Sequence, residues 1–297
     1  MSFFKAKDET DLFFTDSGHG PAVVLIHGWP LHSDMWEYQR LALLENGYRV
    51  ITYDRRGFGK SSAPASGYDY DTLSDDLHAL LEHLSLARSA LVGFSMGGGE
   101  IARYLSRYGS DRVSSATLVS SIVPFLLKTE SNPDGVPESE FDGMMAELGK
   151  DRPKFLAGFG KIFYGYGPLS HPVSEEMLQW TASLAYAGNL KATIDCVASF
   201  GKTDFRPDLK AFNIPTLIIH GTADKTVPLV PTAEAAARAL PTATFKTYEG
   251  APHGLFITEM DRLNEDLIEF LGLHAAVEAF RHRTSQDLNE EPPKQFI

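Results

Sequence analysis

The segment with the strongest chemical signal is the pentapeptide 93–97, which reads Gly-Phe-Ser-Met-Gly. An apolar run, Ala90-Leu-Val-Gly-Phe94, precedes Ser95, and a stretch with helical character follows it. The pattern G-x-S-x-G between a strand and a helix is typical of a tight turn that holds a serine hydroxyl out for nucleophilic attack. The alternative is a plain glycine-rich turn, and in this context we interpret Ser95 as a nucleophile.

A serine hydroxyl is a weak nucleophile and needs a base that accepts its proton. His253 lies in Ala-Pro-His-Gly, on a short loop after the last predicted strand, and Asp224 lies just beyond the strand that ends at His220. Taken singly, these residues also fit a surface turn histidine and an Asx turn. The chain order Ser, Asp, His, with each residue after a strand, is that of the α/β-hydrolase fold, so we predict that Ser95, Asp224 and His253 form a catalytic triad.

Acyl transfer also requires hydrogen-bond donors for the oxyanion that forms on the substrate. The backbone N–H of Met96, next to the predicted nucleophile, is one candidate. The second is expected from the loop His27-Gly-Trp-Pro after the strand Ala22–Ile26. Pro30 has no N–H, which leaves Trp29 as the natural donor. We interpret His27 as a structural residue that ties this loop together.

Short apolar runs alternate with helical segments along most of the chain, a pattern that predicts a parallel sheet covered on both faces. From about Pro124 to Asn213 the pattern is helical and has no convincing buried strand. We therefore predict an α/β-hydrolase core over residues 1–123 and 214–274 and a helical cap inserted at 124–213. Residues 275–297 are predicted to be an exposed polar extension.

Composition excludes some classes of partner. The formal net charge is −12, so a nucleic-acid or membrane surface is a poor partner. The single cysteine, Cys196, lies in an apolar stretch and is expected to be a buried structural thiol. There is no signal-peptide pattern and no apolar run of about 18 residues, so we expect a cytoplasmic protein. The histidines lack metal-ligand spacing, and the glycine-containing loop Tyr53–Ser61 lacks a phosphate-binding pattern, so no metal or other cofactor is predicted.

Several longer segments resemble the bacterial aryl esterases, perhydrolases and cofactor-free haloperoxidases. The likeness runs from about Phe3 to Leu273, and its most specific segments are His27-Gly-Trp-Pro, Asp34-Met-Trp-Glu-Tyr-Gln, Tyr53-Asp-Arg-Arg-Gly-Phe-Gly, Gly93-Phe-Ser-Met-Gly-Gly-Gly and Thr203-Asp-Phe-Arg-Pro-Asp. The segments 275–297 and about 128–150 depart from the pattern. The departure after about 275 puts any assembly inferred by likeness in doubt.

The resemblance implies a serine esterase for a small-molecule ester, with a side activity that forms peracids from acids and peroxide without metal or haem. Halogenation would then be secondary chemistry of the peracid. Pro30 resembles the form of its loop in peracid-forming members, where the loop carbonyl could assist peroxide attack. Such proteins often assemble as homo-oligomers, which leaves self-association open for this chain.

The predicted pocket walls are apolar and favour apolar acyl or aryl groups. Ordinary core packing is an equal alternative for each of them. They are Pro30, Phe94, Phe125, Phe159, Phe163 and Leu229. Other functions remain open on sequence alone: a lactonase or lyase of the same fold, or a small-molecule receptor that hydrolyses its ligand slowly. A haloalkane dehalogenase or epoxide hydrolase is disfavoured, because those enzymes use an aspartate where Ser95 stands.

Overall fold

The computed structural model describes residues 2–287, with side chains through Leu273. Eight strands form one sheet in the order β1-β2-β4-β3-β5-β6-β7-β8. Their bounds are β1 Ser2–Lys5, β2 Asp11–Ser17, β3 Ala22–Ile26, β4 Arg49–Tyr53, β5 Ser89–Phe94, β6 Val113–Val119, β7 Thr216–Gly221 and β8 Thr244–Tyr248.

Nine helices accompany the strands within the described residues. Single helical turns at Ser33–Trp36, Asp208–Ala211 and Val230–Glu234 add to them. The helices are α1 Glu37–Glu45, α2 Tyr70–His83, α3 Met96–Tyr108, α4 Glu138–Phe163, α5 Glu175–Tyr186, α6 Leu190–Lys202, α7 Ala235–Ala239, α8 Leu255–Thr258 and α9 Met260–Asp287.

The six strands from β4 to β8 in the sheet order pair in parallel, as the short continuous apolar runs predict. β5 and β7 are buried along their whole length, because helices cover both faces of the sheet. β1 was not predicted from the sequence. It is a short strand that pairs with β2 in an antiparallel hairpin. β2 in turn pairs antiparallel with β4, so the sheet is mostly rather than wholly parallel.

Parallel strands end at the same edge of the sheet, and this brings distant parts of the chain together. β5 ends at Phe94, directly before Ser95, and β7 ends at Gly221, three residues before Asp224. β8 ends at Tyr248, and His253 follows on the loop before α8. The three predicted triad residues therefore follow three strands at one edge of the sheet, the usual place for a site in an open α/β sheet.

Three helices, α4, α5 and α6, lie between β6 and β7, where the sequence predicts a helical cap. α4 is interrupted at Asp151, whose backbone angles are non-helical (φ −153°, ψ 79°), two residues before Pro153. Asp151 caps the second half of the helix, since its Oδ1 accepts the amide of Lys154 at 3.1 Å. Pro153 lies in the first turn of that half, where a missing N–H costs no intrahelical hydrogen bond. The kink turns the two halves of α4 relative to each other.

The last helix reaches into the segment predicted to be a polar extension. That segment begins at residue 275, and α9 continues from the core through to Asp287, so the first part of the segment is helical. The remainder of the predicted extension lies outside the described residues. Within residues 2–287, no helix is long and apolar enough to span a membrane.

Candidate active site

Ser95 occupies a strained turn between β5 and α3. Its backbone has φ 53° and ψ −115°, a positive φ that is uncommon for a residue with a side chain. Its amide donates a hydrogen bond of 2.8 Å to the carbonyl oxygen of Val119 at the end of β6, which fixes the turn against the neighbouring strand. Such strain is maintained only where the surrounding structure enforces it, and it is concentrated at functional sites.

The glycines on either side of the turn are required by space. A Cβ atom on Gly93 would lie 2.6 Å from the carbonyl oxygen of Gly97, and one on Gly97 would lie 2.6 Å from the carbonyl oxygen of Ile26. Both clashes are with backbone atoms, which cannot rotate away as a side chain can. The tight turn predicted from G-x-S-x-G therefore requires glycine-sized residues at both positions.

His253 lies within hydrogen-bond reach of Ser95, although the two residues are far apart in sequence. The distance from His253 Nε2 to Ser95 Oγ is 3.0 Å, and the imidazole is 1% exposed. The rings of Phe94 and Phe163 contact the imidazole, with centroid distances of 4.9 and 5.0 Å. Ser120, itself at a positive φ of 45°, donates its hydroxyl to the carbonyl oxygen of His253 at 3.2 Å.

Asp224 completes a continuous line of hydrogen bonds. Its Oδ2 lies 2.6 Å from Nδ1 of His253, while its Oδ1 accepts the amides of Thr226 and Val227, each at 2.8 Å. Burial alone would raise the pKa of the Asp224 carboxyl, but the charge of His253 and hydrogen bonds from His220 and His253 outweigh burial. The pKa of Asp224 therefore lies below its usual range, and the group is a carboxylate near neutral pH.

The two predicted oxyanion donors follow the ends of β5 and β3, which are neighbouring strands in the sheet. Met96 is the first residue of α3, so its N–H has no intrahelical acceptor and lies at the positive end of the helix dipole. Trp29 lies on the loop after β3, and its peptide bond to Pro30 is cis. The indole Nε1 of Trp29 donates to the carbonyl oxygen of Thr193 in α6 at 3.0 Å, which attaches this loop to the cap helices.

A buried polar network lies beneath the Trp29 loop. Nε2 of His27 accepts the amide of Arg55 at 2.9 Å, so the ring proton is on Nδ1, which donates to the carbonyl oxygen of Gly28 at 3.0 Å. Burial and the Arg55 charge hold the pKa of His27 well below its usual value, so the ring is neutral. Arg55 also donates to the carbonyl oxygen of His27 at 2.7 Å and pairs with Glu100 of α3. The network supports the structural interpretation of His27 and connects the loop to the helix that follows Ser95.

A cavity of about 550 Å³ opens at Ser95 and extends beneath α4. Most of its walls are apolar side chains from the cap helices and from the chain just after β6, and charged side chains from α4 and Lys225 border it as well. The principal apolar walls are Trp29, Ile122, Leu126, Phe141, Met144, Phe155, Phe159 and Phe200. Its size and lining suit an apolar small molecule.

The predicted pocket walls agree only in part with this cavity. Phe159 lines it, but Phe94 and Phe163 are fully buried and pack against the His253 ring instead. Phe163 also lines a second, much smaller cavity with Pro30. The remaining two are elsewhere: Phe125 is buried with the Arg206 guanidinium 4.8 Å from its ring centroid, and Leu229 precedes the helical turn at 230–234.

Several wall residues on α4 were not predicted from the sequence. Phe141, Met144, Phe155 and Ile162 border the cavity together with the predicted Phe159, and the members of each half of α4 recur at intervals of three to four residues. This helical periodicity was present in the sequence. Periodicity alone does not tell a face that lines a cavity from a face that packs in the core, so the kinked path of α4 was needed to identify it.

Three comparisons place this arrangement among known proteins. The sequence pattern of the alpha/beta hydrolase fold family matches residues 21–260. The chain is 41% identical over 273 residues to a non-heme chloroperoxidase from Kitasatospora aureofaciens, covering 91% of this chain and 99% of the relative. It is 38% identical over 275 residues to a bifunctional esterase/perhydrolase from Acinetobacter calcoaceticus, with the same coverage of 91% and 99%.

A solved structure of a similar protein shows the same fold. The crystal structure of a bromoperoxidase from Bacillus anthracis superposes with a TM-score of 0.88 at 46% identity, covering 91% of this chain and 99% of that one. The α/β-hydrolase fold and the resemblance to esterases, perhydrolases and cofactor-free haloperoxidases predicted from the motifs are therefore confirmed. The chain belongs to the α/β hydrolase fold family and is an enzyme similar to the non-heme haloperoxidases and esterase/perhydrolases within it.

Proposed function

We propose that this enzyme is a serine hydrolase of carboxylic esters that works through an acyl-enzyme on Ser95. The observation that carries the proposal is the unbroken hydrogen-bonded line from Asp224 Oδ2 through His253 to Ser95 Oγ, with distances of 2.6 and 3.0 Å. A base within reach of a hydroxyl, oriented by a carboxylate, is the arrangement that activates a serine for attack on an acyl group.

The first half-reaction transfers the acyl group to the enzyme. Ser95 Oγ attacks the ester carbonyl while His253 Nε2 takes the hydroxyl proton, and the Asp224 carboxylate stabilises the imidazolium. The negative charge that develops on the carbonyl oxygen is stabilised by the amides of Trp29 and Met96. When the tetrahedral intermediate collapses, the bond to the alcohol breaks and His253 protonates the departing oxygen.

The second half-reaction releases the acyl group. His253, now neutral, takes a proton from water while the water oxygen attacks the acyl carbonyl, and the product is a carboxylic acid. Hydrogen peroxide can replace water in this step, and the product is then a peracid with Ser95 regenerated. The perhydrolase relative and the similarity to non-heme chloroperoxidases support this second outcome as a side activity.

The cavity supports a preference for apolar acyl or aryl esters. Its volume of about 550 Å³ and its aromatic walls leave room beyond an acetyl group. We therefore expect kcat/KM for p-nitrophenyl esters to rise from acetate to longer acyl chains and then to fall where the chain outgrows the cavity.

The proposal is tested by release of p-nitrophenol from this ester series. Wild-type enzyme is compared with Ser95→Ala and with Ser131→Ala, a matched loss of a hydroxyl from an exposed residue whose contacts are with Thr129 and Arg206. We expect Ser95→Ala to lose turnover and Ser131→Ala to retain it. Wild-type enzyme that is inert on every ester, or a Ser95→Ala variant that retains turnover, would refute the proposal.

Peracid formation is assayed separately. The purified enzyme is given acetate and hydrogen peroxide, and peracetic acid is detected by its oxidation of bromide. Peracid that depends on Ser95 supports the side activity. Ester hydrolysis without any peracid would restrict the function to hydrolysis.

A further inference from the structure

A second histidine, His220, lies against the carboxylate of Asp224. It is the penultimate residue of β7 and is fully buried. Its Nε2 lies 2.9 Å from the carbonyl oxygen of Val227 and 3.3 Å from Asp224 Oδ2. The proposed mechanism assigns this residue no step.

The surroundings of the ring select one protonation state. Two oxygens face Nε2, the carbonyl oxygen of Val227 and the carboxylate oxygen Oδ2 of Asp224. Both can only accept hydrogen bonds, so Nε2 must carry a proton. The other ring nitrogen, Nδ1, is buried with no hydrogen-bond partner among the described residues. A proton on Nδ1 would be a buried donor without an acceptor, which is costly. His220 is therefore neutral with its single ring proton on Nε2.

The contacts of His220 close a ring of hydrogen bonds around the turn at 224–227. The amide of Val227 donates to Asp224 Oδ1 at 2.8 Å, and the carbonyl oxygen of Val227 accepts from His220. His220 Nε2–H also faces Asp224 Oδ2, the oxygen that His253 contacts. Both carboxylate oxygens are thus held, and the rotation of the carboxyl group is restricted.

We propose that His220 is a positioning residue that orients the Asp224 carboxylate toward His253 and partly neutralises its charge through the Nε2–H donor. This inference rests on the proposed function, because it assigns a role within the same site. A carboxylate that shares its charge with His220 attracts the proton of the His253 imidazolium less strongly. The titratable groups facing this part of the site are Asp224, His220 and His253. Loss of the donor should therefore favour protonated His253 and weaken the base near neutral pH.

Two amide substitutions separate this role from simple filling of space. In His220→Gln the side-chain nitrogen can reach the position of Nε2, whereas in His220→Asn it reaches only the position of Nδ1. We expect His220→Asn to lower kcat for p-nitrophenyl acetate by about 10- to 100-fold, the range for losing a hydrogen bond to a charged group, with little change in KM. Its kcat/KM profile should also shift to higher pH on the acidic side. His220→Gln should restore most of kcat and the wild-type profile.

The outcomes distinguish this inference from the proposed function. An inactive wild-type enzyme, or an active Ser95→Ala variant, would refute the ester hydrolase itself. An active wild-type enzyme with His220→Asn unimpaired, or with Gln and Asn equally impaired and the pH profile unmoved, would refute only the positioning role.

A second measurement is made on the unmodified protein and does not depend on turnover. Nitrogen-15 NMR of the histidine side chains distinguishes the two neutral tautomers. We expect the His220 resonances, assigned by their disappearance in His220→Gln, to report a proton on Nε2 and none on Nδ1 near neutral pH. A proton on Nδ1 would overturn the inference.

Discussion

At the residue scale, the proposed base and its carboxylate have separate protonation behaviour. The pKa of Asp224 lies below its usual range, because the charge of His253 and the hydrogen bonds from His220 and His253 outweigh the effect of burial. Asp224 therefore stays ionised at acidic pH values where an ordinary carboxyl begins to take up a proton. The acidic side of the pH dependence should not include a proton on Asp224.

We expect kcat/KM to fall as pH is lowered, because a protonated His253 ring cannot accept the Ser95 proton. The fall should follow a single ionisation, since the depressed pKa of Asp224 keeps that carboxyl ionised throughout this range. Initial rates with a p-nitrophenyl ester over a range of pH measure the profile. A steeper fall that requires two protons would contradict the assignment.

Asp224→Asn is expected to lower kcat by about 10⁴-fold, the loss known for this change in another triad enzyme, because an amide can donate to His253 Nδ1 and favour the wrong tautomer. The variant keeps the size of the side chain, so circular dichroism should remain that of the wild type. A folded Asp224→Asn enzyme with kcat within tenfold of the wild type would argue that Asp224 does not orient the base.

The buried ion pair of Arg55 and Glu100 has a structural role rather than a role in proton transfer. It fixes the Trp29 loop to α3. Both side chains are at most 1% exposed. We expect Glu100→Gln to reduce the free energy of unfolding by about 3–5 kcal/mol, because it leaves a buried guanidinium without its counter-charge. Asp16→Asn, which breaks the partly exposed pair with Arg49, is the control and should cost about 0–1 kcal/mol. Urea unfolding measures the free energy of unfolding of both variants. Equal losses of this free energy in the two would contradict the role of the buried pair.

At the element scale, the strand-turn-helix around Ser95 depends on close backbone approach. The sequence predicted this element correctly, because G-x-S-x-G limits the side chains at 93 and 97 and the flanking segments have clear strand and helix character. It did not predict β1, a strand of four residues whose pairing with β2 depends on a tertiary contact. Short edge strands have too few residues to produce a clear alternating pattern.

Gly97→Ala should destabilise the protein by about 1–3 kcal/mol, because the new Cβ would lie 2.6 Å from the backbone oxygen of Ile26. The matched control is Gly143→Ala on α4, where the added Cβ would have no atom within 4 Å apart from the neighbouring backbone of its own helix. That change should be neutral or stabilise the helix by up to about 1 kcal/mol. Urea unfolding of the two variants gives the comparison, and a tolerated Gly97→Ala would contradict the close approach.

At the scale of the whole molecule, the cavity at Ser95 is formed jointly by the sheet edge and the cap helices. The fold and the hydrogen-bonded line from Asp224 through His253 to Ser95 could be inferred from local motifs, since each of the three residues follows a recognisable strand. Most of the cavity wall could not, because residues such as Phe141 and Phe200 are far from Ser95 in sequence and approach it only through the path of α4 and α6. Phe94 and Phe163 are hydrophobic residues of the same kind, yet they support the His253 ring.

Phe159 lies between the main cavity and the smaller one lined by Pro30 and Phe163. Phe159→Ala should join the two and move the optimum of the ester series toward longer acyl chains. Ile162→Ala is the control variant. Ile162 is 53% exposed and borders the main cavity but not the smaller one, so its loss should not join the two. An unchanged chain-length profile in Phe159→Ala would show that its ring does not limit the acyl group.

The central claim, an acyl-enzyme on Ser95, is tested most directly by mass spectrometry of enzyme quenched in acid during turnover of p-nitrophenyl acetate. The account predicts one acetyl group per chain, located on the peptide that contains Ser95 and absent from Ser95→Ala. Rapid hydrolysis with no acetylated enzyme at any time during turnover, or with the acetyl group on another residue that Ser95→Ala retains, would contradict it.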